Sequence, residues 1–467
     1  MLSLICRLIL HKMRPTPRKL IKTFCAAVVF GLMLININVI FSSDGDDNFT
    51  NVDKQYLDSG LLFPPGGRTN ISSTKKGDPG KHEVPIPVKV FLPTQKKFHH
   101  NLTAVPDNAT LRDTLAFFNH QQRIMNVEKF GDTLDDDSIV VVVQVHNRVE
   151  YLRYLIDSLE KTKGANSLLL IFSHDIYLPE INSLIEKVTF CRVLQIYYPF
   201  SLQLYPTEFP GEHPNDCPRD IKKPEAIRKK CNNANYPDTY GHYREARVVQ
   251  TKHHWFWKIN QVFDHLYITQ HFTGPILFIE EDHLLTEDSL HMLRLMNKLR
   301  QQSCTDCNIM TIGTYDKNPV YTGLSGKVDI THWQSSKHNM GMALTREIWI
   351  KIKACAKDFC YFDDYNWDWS LHLLGRICTP LKVMVARSPR IFHIGECGVH
   401  HKGKNCDPAA RIQQISQLLS RNRQYLFPDS ISISGYPKGG IKKPKPNGGW
   451  GDIRDREMCM RFAQEQR

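Results

Sequence analysis

Three adjacent carboxylates, Glu280, Glu281 and Asp282, follow a run of apolar residues at positions 276–279. Adjacent carboxylates repel one another and bind protons or cations. Together with a diphosphate they would form the oxygen-rich cage that Mn2+ or Mg2+ prefers. Such an ion neutralises charge that develops on a leaving nucleotide diphosphate. The alternative is a solvated strand end before a helix, and the surrounding elements decide between the two.

The segments upstream of the triplet predict a parallel sheet. Residues 139–143 are five consecutive β-branched apolar residues, long enough for a strand buried on both faces. SLLLIFSHD (167–175) and VLQIYY (193–198) predict two more strands, and helical spacing lies between the strands. This βαβαβ order implies right-handed crossovers and an α/β fold. The absence of G-x-G-x-x-G from the sequence argues against a classical dinucleotide site.

A helix is predicted on each side of the triplet. The first has an apolar face made of Trp255, Ile259, Val262, Phe263 and Leu266. The second is expected to begin near Thr286 as its N-cap, with Glu287 and Asp288 at the positive helix end. Its expected buried residues are Met292, Leu295, Met296 and Leu299. The helix dipole does not account for residues 280–282, which precede the cap.

Polar clusters follow three of the predicted strands: residues 144–148, 174–175 and 280–282. In open parallel sheets, ligands bind outside the carboxyl ends of the strands. Each cluster alone could be a turn. Their coincidence at one edge of one sheet predicts a site.

The N-terminus predicts a membrane anchor. Residues 1–22 form a basic cytosolic tail with six of the excess charges, which leaves about +6 of the total +12 for the rest of the chain. That remainder is weak support for a nucleic-acid partner, and we expect none. Residues 23–41 contain eighteen consecutive uncharged residues and are expected to span the membrane as an uncleaved signal-anchor. A cleaved signal peptide is the alternative.

The segment from 42 to 115 is rich in Pro, Gly, Ser and Lys and predicts a flexible stem before a lumenal domain at 116–467. Four N-x-S/T sequons precede residue 111, and they predict glycosylation at Asn48, Asn70, Asn101 and Asn108. Of thirteen cysteines, Cys6 and Cys25 belong to the tail and the anchor. The other eleven are expected to form disulfides rather than zinc sites, with Cys191 left as a buried thiol. An anchored, glycosylated lumenal enzyme with this acidic site is most economically a nucleotide-sugar glycosyltransferase.

Five long segments, in order, carry a resemblance to a known family. They are QVHNR (144–148), QTKHHWFWK (250–258), FIEEDH (278–283), YFDDYNWDWSL (361–371) and RIFHIGECG (390–398). From about residue 118 to the end, the chain resembles the Golgi N-acetylglucosaminyltransferase II family. The resemblance implies a glycosyltransferase-A fold, UDP-N-acetylglucosamine as donor and Mn2+ as cofactor. It also implies N-glycans of glycoproteins as acceptors, at the mannose of the α1,6 arm, and a Golgi membrane protein of type II topology. A homodimer stays open.

The resemblance also implies residue roles. Asp282 and His393 would bind the metal, and Asp368 would be the catalytic base, with Asp363 and Asp364 as its competitors. The uridine and ribose would be held by Gln144, Val145, His146, Asn147, Arg148 and Asp175. The donor pocket would be lined by Gln250, Thr251, Lys252, His253 and His254, with Lys252 as a diphosphate contact; His254 has a structural role as its alternative. The implied disulfides are Cys217–Cys231, Cys304–Cys307, Cys355–Cys378, Cys360–Cys459 and Cys397–Cys406.

The sequence leaves three rival functions to compare with this one. A related Golgi N-acetylglucosaminyltransferase that acts on another mannose would share fold, metal and donor. A catalytically silent lumenal glycan-binding protein would have kept the sugar pocket, but the presence of Asp282, Asp368 and His393 argues against it. A zinc hydrolase is disfavoured because the sequence contains no H-E-x-x-H.

Overall fold

The structure, a computed structural model, describes residues 104–395, 407–437, 439–440 and 442–464. The predicted tail, anchor and most of the stem lie outside these residues, as do Asn48, Asn70, Asn101 and the pair Cys397–Cys406. Within the described ranges, no helix has the length and apolar character needed to cross a membrane.

Ten strands form one mixed sheet in the order β1-β4-β3-β2-β5-β9-β7-β10-β8-β12, and β11 pairs with β6 separately. Their bounds are β1 Ile124–Met125, β2 Ile139–Val145, β3 Leu168–His174, β4 Arg192–Tyr197, β5 Ile276–Glu280, β6 His283–Leu285, β7 Ile309–Thr311, β8 Lys327–His332, β9 Met342–Leu344, β10 Lys382–Ala386, β11 Ile391–His393 and β12 Ser432–Gly435.

The α-helices of the described residues flank this sheet. They are α1 Asn108–Gln121, α2 Val127–Phe130, α3 Val149–Glu160, α4 Pro179–Ile185, α5 Lys223–Lys229, α6 Ala246–Asn260, α7 Ser289–Ser303, α8 Ser335–His338, α9 Arg346–Ala354, α10 Ala356–Tyr361, α11 Trp367–Ile377, α12 Ala409–Asn422 and α13 Ile453–Gln464. A single π-helical turn, Gln261–His265, continues α6.

The predicted parallel sheet is confirmed for one half. Strands β2, β3, β4 and β5 are parallel neighbours, and β2 lies between β3 and β5. The carboxyl ends of β2, β3 and β5 therefore meet at one edge. Beyond β5 the sheet is mixed, because β9 runs antiparallel to both β5 and β7.

Successive side chains of β2 point to opposite faces of the sheet, and both faces are buried. Val140 and Val142 pack into one apolar layer with the aromatic face of α6, whereas Val141 and Val143 pack into the opposite layer with α3 and α7. A strand that faces two layers needs apolar residues at every position, as residues 139–143 have.

Helix α1 crosses the predicted boundary between stem and lumenal domain at 115/116. Asp107 caps it by accepting hydrogen bonds from the amides of Ala109 and Thr110, and its residues Leu111 and Leu115 pack into an aromatic cluster of the folded domain. Packed structure therefore begins before residue 116. The polar residues at 107–110 resemble stem composition but form a helix start. Asn108, the first residue of this helix, is exposed, and its glycosylation stays a prediction.

The prediction for the start of α7 is wrong at Thr286. The helix begins at Ser289 with Asp288 in the N-cap position, and Leu295 and Leu299 are only half-buried. Asp288 is completely buried and forms an ion pair with Arg390 (Oδ2 to Nε, 2.7 Å). It serves this pair rather than the helix dipole.

The disulfide predictions are confirmed within the described residues. Bonds join Cys217–Cys231, Cys304–Cys307, Cys355–Cys378 and Cys360–Cys459. Cys191 is a buried free thiol, as expected, and burial raises its pKa. Because Cys304 and Cys307 are bonded to each other, they do not form half of a zinc site.

Candidate active site

The site centres on Asp282, in the turn between β5 and β6. Its Oδ2 accepts hydrogen bonds from Arg148 Nη1 at 2.7 Å and lies 3.2 Å from His393 Nε2. Pairing of β6 with β11 sets His393 opposite His283 and so brings the second sequence-predicted ligand to the first. A Cβ on Gly395 would lie 2.4 Å from Asp282 Oδ2, so this close approach needs glycine.

Glu281 has a structural task. Its Oε1 accepts a hydrogen bond from Arg148 Nε at 2.6 Å, and its Oε2 accepts one from the amide of His146 at 2.7 Å. The buried carboxylate thereby ties the loop after β2 to the end of β5. Burial raises the pKa of Glu281, against the opposing charge of Arg148.

Glu280, the last residue of β5, lies under the opposing charges of Asp282 and Lys258. Burial and the charge of Asp282 raise the pKa of Glu280, and the ammonium of Lys258 opposes the rise. Lys258 is buried and donates to Gln144 Oε1 at 2.6 Å. Burial lowers its pKa to about 7. The sequence prediction overlooked this lysine, whose position in the 250–258 segment was its only signal.

The donor atoms at this strand end fit a divalent cation. Asp282 Oδ1 is buried without a hydrogen-bond partner, an unusual state for a carboxylate oxygen. Ligand atoms of Glu280, Asp282 and His283 lie within 4.8 Å of one another. Burial alone would raise the pKa of Asp282, but His393 and Arg148 hold it well below its usual range. Carboxylates suit Mg2+ and Mn2+, and imidazoles suit transition metals. Glu280 and His283 therefore join the two predicted ligands as candidates for a divalent cation.

A second polar group lies at the ends of β2 and β3. His146 Nδ1 lies 2.7 Å from Asp175 Oδ1, and Gln250 Nε2 donates to Asp175 Oδ2 at 3.2 Å. The His146 side chain is half-exposed. Three sequence-predicted nucleotide residues therefore meet. Asn147 is exposed beside them, whereas the Val145 side chain is in the core and offers only its backbone.

The buried position of Lys252 contradicts the diphosphate contact that was predicted for it. It is completely buried, donates to the carbonyls of Asp364 (2.9 Å) and Phe362 (3.2 Å), and lies 4.3 Å from the ring centroid of Trp450. Burial lowers its pKa well below the usual value. The Lys252 side chain therefore binds the backbone of the 362–364 loop instead.

The adjacent histidines also face the interior. His253 Nε2 lies 3.0 Å from Asp455 Oδ1 on α13, and His254 Nε2 lies 2.8 Å from Ser173 Oγ. Both rings are buried, so neither lines an open donor pocket. Thr251 uses its hydroxyl to bond the carbonyl of Val248. The structural alternative given for His254 is the correct one.

Asp368 lies in the first turn of α11. Its Oδ1 accepts from the amide of Trp369 at 2.9 Å, and its Oδ2 accepts from Asn339 Nδ2 at 3.1 Å. Burial raises its pKa to about 6, the Trp369 amide opposes the rise, and the negative charges of Asp364 and Glu280 add to it. A half-buried carboxylate with this pKa is suited to accept a proton near neutral pH.

Its two competitors are committed to the fold. Asp364 accepts from the amide and the side chain of both Asn366 and Asn447. Asp363 accepts from Thr239 Oγ1 at 2.6 Å and from the amide of Trp450 at 3.0 Å. Both carboxylates are buried and hydrogen-bonded, which leaves neither one free to act as the base.

Tyr315 joins the two sides of the site and was not predicted. Its ring centroid lies 6.4 Å from that of His393. Burial raises its pKa, and the charges of Glu280, Asp368 and Asp282 add to the rise. The charges of the metal-side carboxylates and of Asp368 therefore all act on the Tyr315 hydroxyl.

Of the two tryptophans that flank Asp368, Trp367 packs against the core and Trp369 is half-buried. Trp367 stacks on Trp255 with ring centroids 4.5 Å apart, in the apolar layer under the sheet. Trp369 stacks on His372 and stays half-buried.

Comparisons with known proteins show which family the chain resembles. The family model of N-acetylglucosaminyltransferase II (MGAT2) matches residues 112–459. The alpha-1,6-mannosyl-glycoprotein 2-beta-N-acetylglucosaminyltransferases of Rattus norvegicus and Homo sapiens are 51% and 49% identical over 365 residues, covering 77% of this chain and 82% and 81% of their own. That of Arabidopsis thaliana is 35% identical over 343 residues, covering 72% and 77%.

Among solved structures, the mannosyltransferase PcManGT from Pyrobaculum calidifontis, in complex with GDP-Man and Mn2+, aligns with a TM-score of 0.28 and 11% identity. The alignment covers 71% of this chain and 76% of that one. A likeness at this level supports no argument about ligand or mechanism.

Proposed function

This chain belongs to the N-acetylglucosaminyltransferase II family and is a glycosyltransferase of N-glycan maturation, and we propose that its site divides the reaction between a donor side and an acceptor side. N-acetylglucosamine passes from UDP-N-acetylglucosamine in β1,2 linkage, with inversion, to the mannose of the α1,6 arm. The domain is proposed to have a glycosyltransferase-A fold.

On the acceptor side, Asp368 is the general base. A sugar hydroxyl is a poor nucleophile until its proton is removed, and a positioned base contributes typically 10²–10⁴-fold. Asp368 takes that proton as the oxygen attacks the anomeric carbon and UDP departs from the opposite face. Asn339 orients the carboxylate through its hydrogen bond to Oδ2.

On the donor side, Asp282 and His393 would hold Mn2+, and ligand atoms of Glu280 and His283 lie close enough to join them. When bound, the ion neutralises charge on the departing diphosphate. Arg148 keeps Glu281 and Asp282 in place through its two hydrogen bonds. His146, Asp175 and Gln250 form the pocket wall proposed for the nucleoside.

The cellular setting follows from the N-terminal sequence. We propose a single-pass type II Golgi membrane protein whose catalytic domain is lumenal and whose stem is glycosylated. The charge-free stretch within 23–41, preceded by six basic residues, supports this topology. The disulfides suit an oxidising compartment.

The observation that carries the proposal is the contact of Tyr315 with His393 on the donor side, where the charges of Asp282 and Asp368 both act on the tyrosine hydroxyl. The test is to incubate the purified full-length chain with UDP-sugars and defined N-glycans, with Mn2+ and with a chelator. We expect one N-acetylglucosamine to be added to the α1,6-arm mannose, dependent on metal. A product on the other arm, or undiminished transfer under chelation, would contradict the acceptor or the metal assignment, respectively.

A further inference from the structure

The loop closed by Cys217–Cys231 carries exposed positive charge that the reaction does not use. It contains α5, of which only Ala226 is buried. Four of its cations are exposed and have no hydrogen-bond or ion-pair partner among the described residues: Lys222, Lys223, Arg228 and Lys230. Lys229 pairs with Glu225 at 3.1 Å. The loop is therefore a fixed platform with uncompensated charge.

A second basic segment runs beside this loop. Lys442, Lys443 and Lys445 are exposed and equally without a partner in the described part of the chain. The next residue, Pro446, accepts a hydrogen bond from Tyr240 Oη at 2.6 Å. Two residues further, His242 Nδ1 lies 3.0 Å from Asp220, at the base of the disulfide loop. Residues 240–242 therefore contact both the end of this segment and the disulfide loop, and we name the seven unpaired cations the lysine–arginine surface.

This surface adjoins the acceptor side of the site. Thr239 donates to Asp363, and Asn447 donates to Asp364. The two carboxylates belong to the loop that leads directly into α11 and Asp368. A molecule bound across the lysine–arginine surface would therefore lie next to the acceptor glycan.

We propose that the lysine–arginine surface binds acidic polypeptide of the acceptor glycoprotein close to its N-glycan, an inference that rests on the proposed function. The glycan itself is built from neutral mannose and N-acetylglucosamine and offers no anion to seven cations. The carrier polypeptide is the covalently attached part that can supply carboxylates. Clustered unpaired charge of one sign raises the encounter rate with an oppositely charged partner by about 10–10³-fold at low salt. The exposed side chains of Ile227 in the disulfide loop and Tyr236 shortly after it, 51% and 42% accessible, provide apolar contact.

The test compares one N-glycan in three forms: free, on a glycopeptide with Asp and Glu around the glycosylated Asn, and on the same peptide with Asn and Gln instead. For the full-length enzyme we expect kcat/KM for the acidic glycopeptide to exceed that for the neutral one about tenfold at low salt. The preference should shrink as ionic strength rises, because screening shortens the range of the interaction to about 8 Å at 0.15 M.

Two variants locate the effect. One changes Lys222, Lys223, Arg228 and Lys230 to Gln, and the other changes Lys442, Lys443 and Lys445 to Gln. Each should reduce the acidic preference several-fold and leave kcat/KM for the free glycan unchanged. The matched control changes four exposed cations elsewhere to Gln and should keep the preference: Lys187, Lys298, Lys357 and Arg421.

Three outcomes would overturn the proposal: an equal kcat/KM for both glycopeptides, a preference that survives both variants, or one that the control also loses. Lysine-dependent sedimentation with anionic phosphatidylserine vesicles, without any glycopeptide preference, would instead identify a membrane contact. Lack of transfer to the free glycan would contradict the proposed function itself, which separates the two failures.

Discussion

The pH dependence of turnover is the sharpest prediction for Asp368. Its carboxyl must be ionised to accept a proton, and its pKa is raised to about 6. Activity should therefore be full well above pH 6 and fall as the pH drops through 6. At pH 5 about one site in eleven is ionised, so kcat/KM should be about tenfold below its plateau.

Removal of the Asp368 carboxylate should lower activity more than a drop to pH 5 does. Asp368→Asn keeps the size and the hydrogen bond from Trp369 but cannot take the proton. We expect kcat to fall at least about a hundredfold, equal to about 2.7 kcal/mol in the barrier. Binding of UDP and Mn2+, measured by calorimetry, should be nearly unchanged.

The variant Asn339→Ala tests whether the hydrogen bond from Asn339 positions the Asp368 carboxylate. Loss of the N–H donor to Oδ2 removes a bond that favours the ionised form, so the acid limb of the profile should move to higher pH. The assay is kcat/KM for the defined glycan between pH 4.5 and 8.5. Normal turnover by Asp368→Asn, or an acid limb that does not move in Asn339→Ala, would refute this reasoning.

Four further variants follow from the same contacts. Asp282→Ala should abolish transfer and weaken Mn2+ binding while the thermal unfolding midpoint changes little; full activity would contradict the metal assignment. His393→Ala should raise the Mn2+ concentration for half-maximal activity, and an unchanged titration would return this histidine to a structural role. Asp288→Ala leaves the guanidinium of Arg390 buried and unpaired and should cost about 3–5 kcal/mol in the free energy of unfolding, measured by denaturant titration. Lys252→Met should lower thermal stability with little effect on KM for the donor, whereas a large rise in that KM would restore the diphosphate contact.

Local sequence patterns were sufficient for the sheet half that carries the donor side. Residues 139–143 specify a strand because β-branched apolar residues at every position suit a pleated surface buried on both faces. The polar residues that end β2, β3 and β5 then lie together because carboxyl ends of parallel strands share an edge. The grouping of His146, Asp175 and Asp282 follows from this rule alone.

Position on a helix was harder to predict. The segment 250–258 is polar and aromatic on all sides, so its spacing does not show which face is buried. The family resemblance assigned Lys252 and His253 to a donor pocket, but packing against α13 and the 362–364 loop buries both. Thr286 was predicted as the N-cap because threonine is common at that position. In the structure the N-cap is Asp288, which is buried in an ion pair with Arg390.

The sequence by itself determined which residues can carry the chemistry: three acids at a strand end, a histidine in RIFHIGECG and an aspartate in NWDW. Only the tertiary structure decided what each one does. Arg148 and Asp282 are 134 residues apart, Thr239 and Asp363 are 124 apart, and Asn339 and Asp368 are 29 apart. Asp363, whose two oxygens both accept hydrogen bonds, becomes a support, whereas Asp282 with its unpaired Oδ1 and Asp368 with its raised pKa stay available for a metal ion or a proton. Local sequence cannot show this difference, because it depends on partners that arrive only when the chain folds.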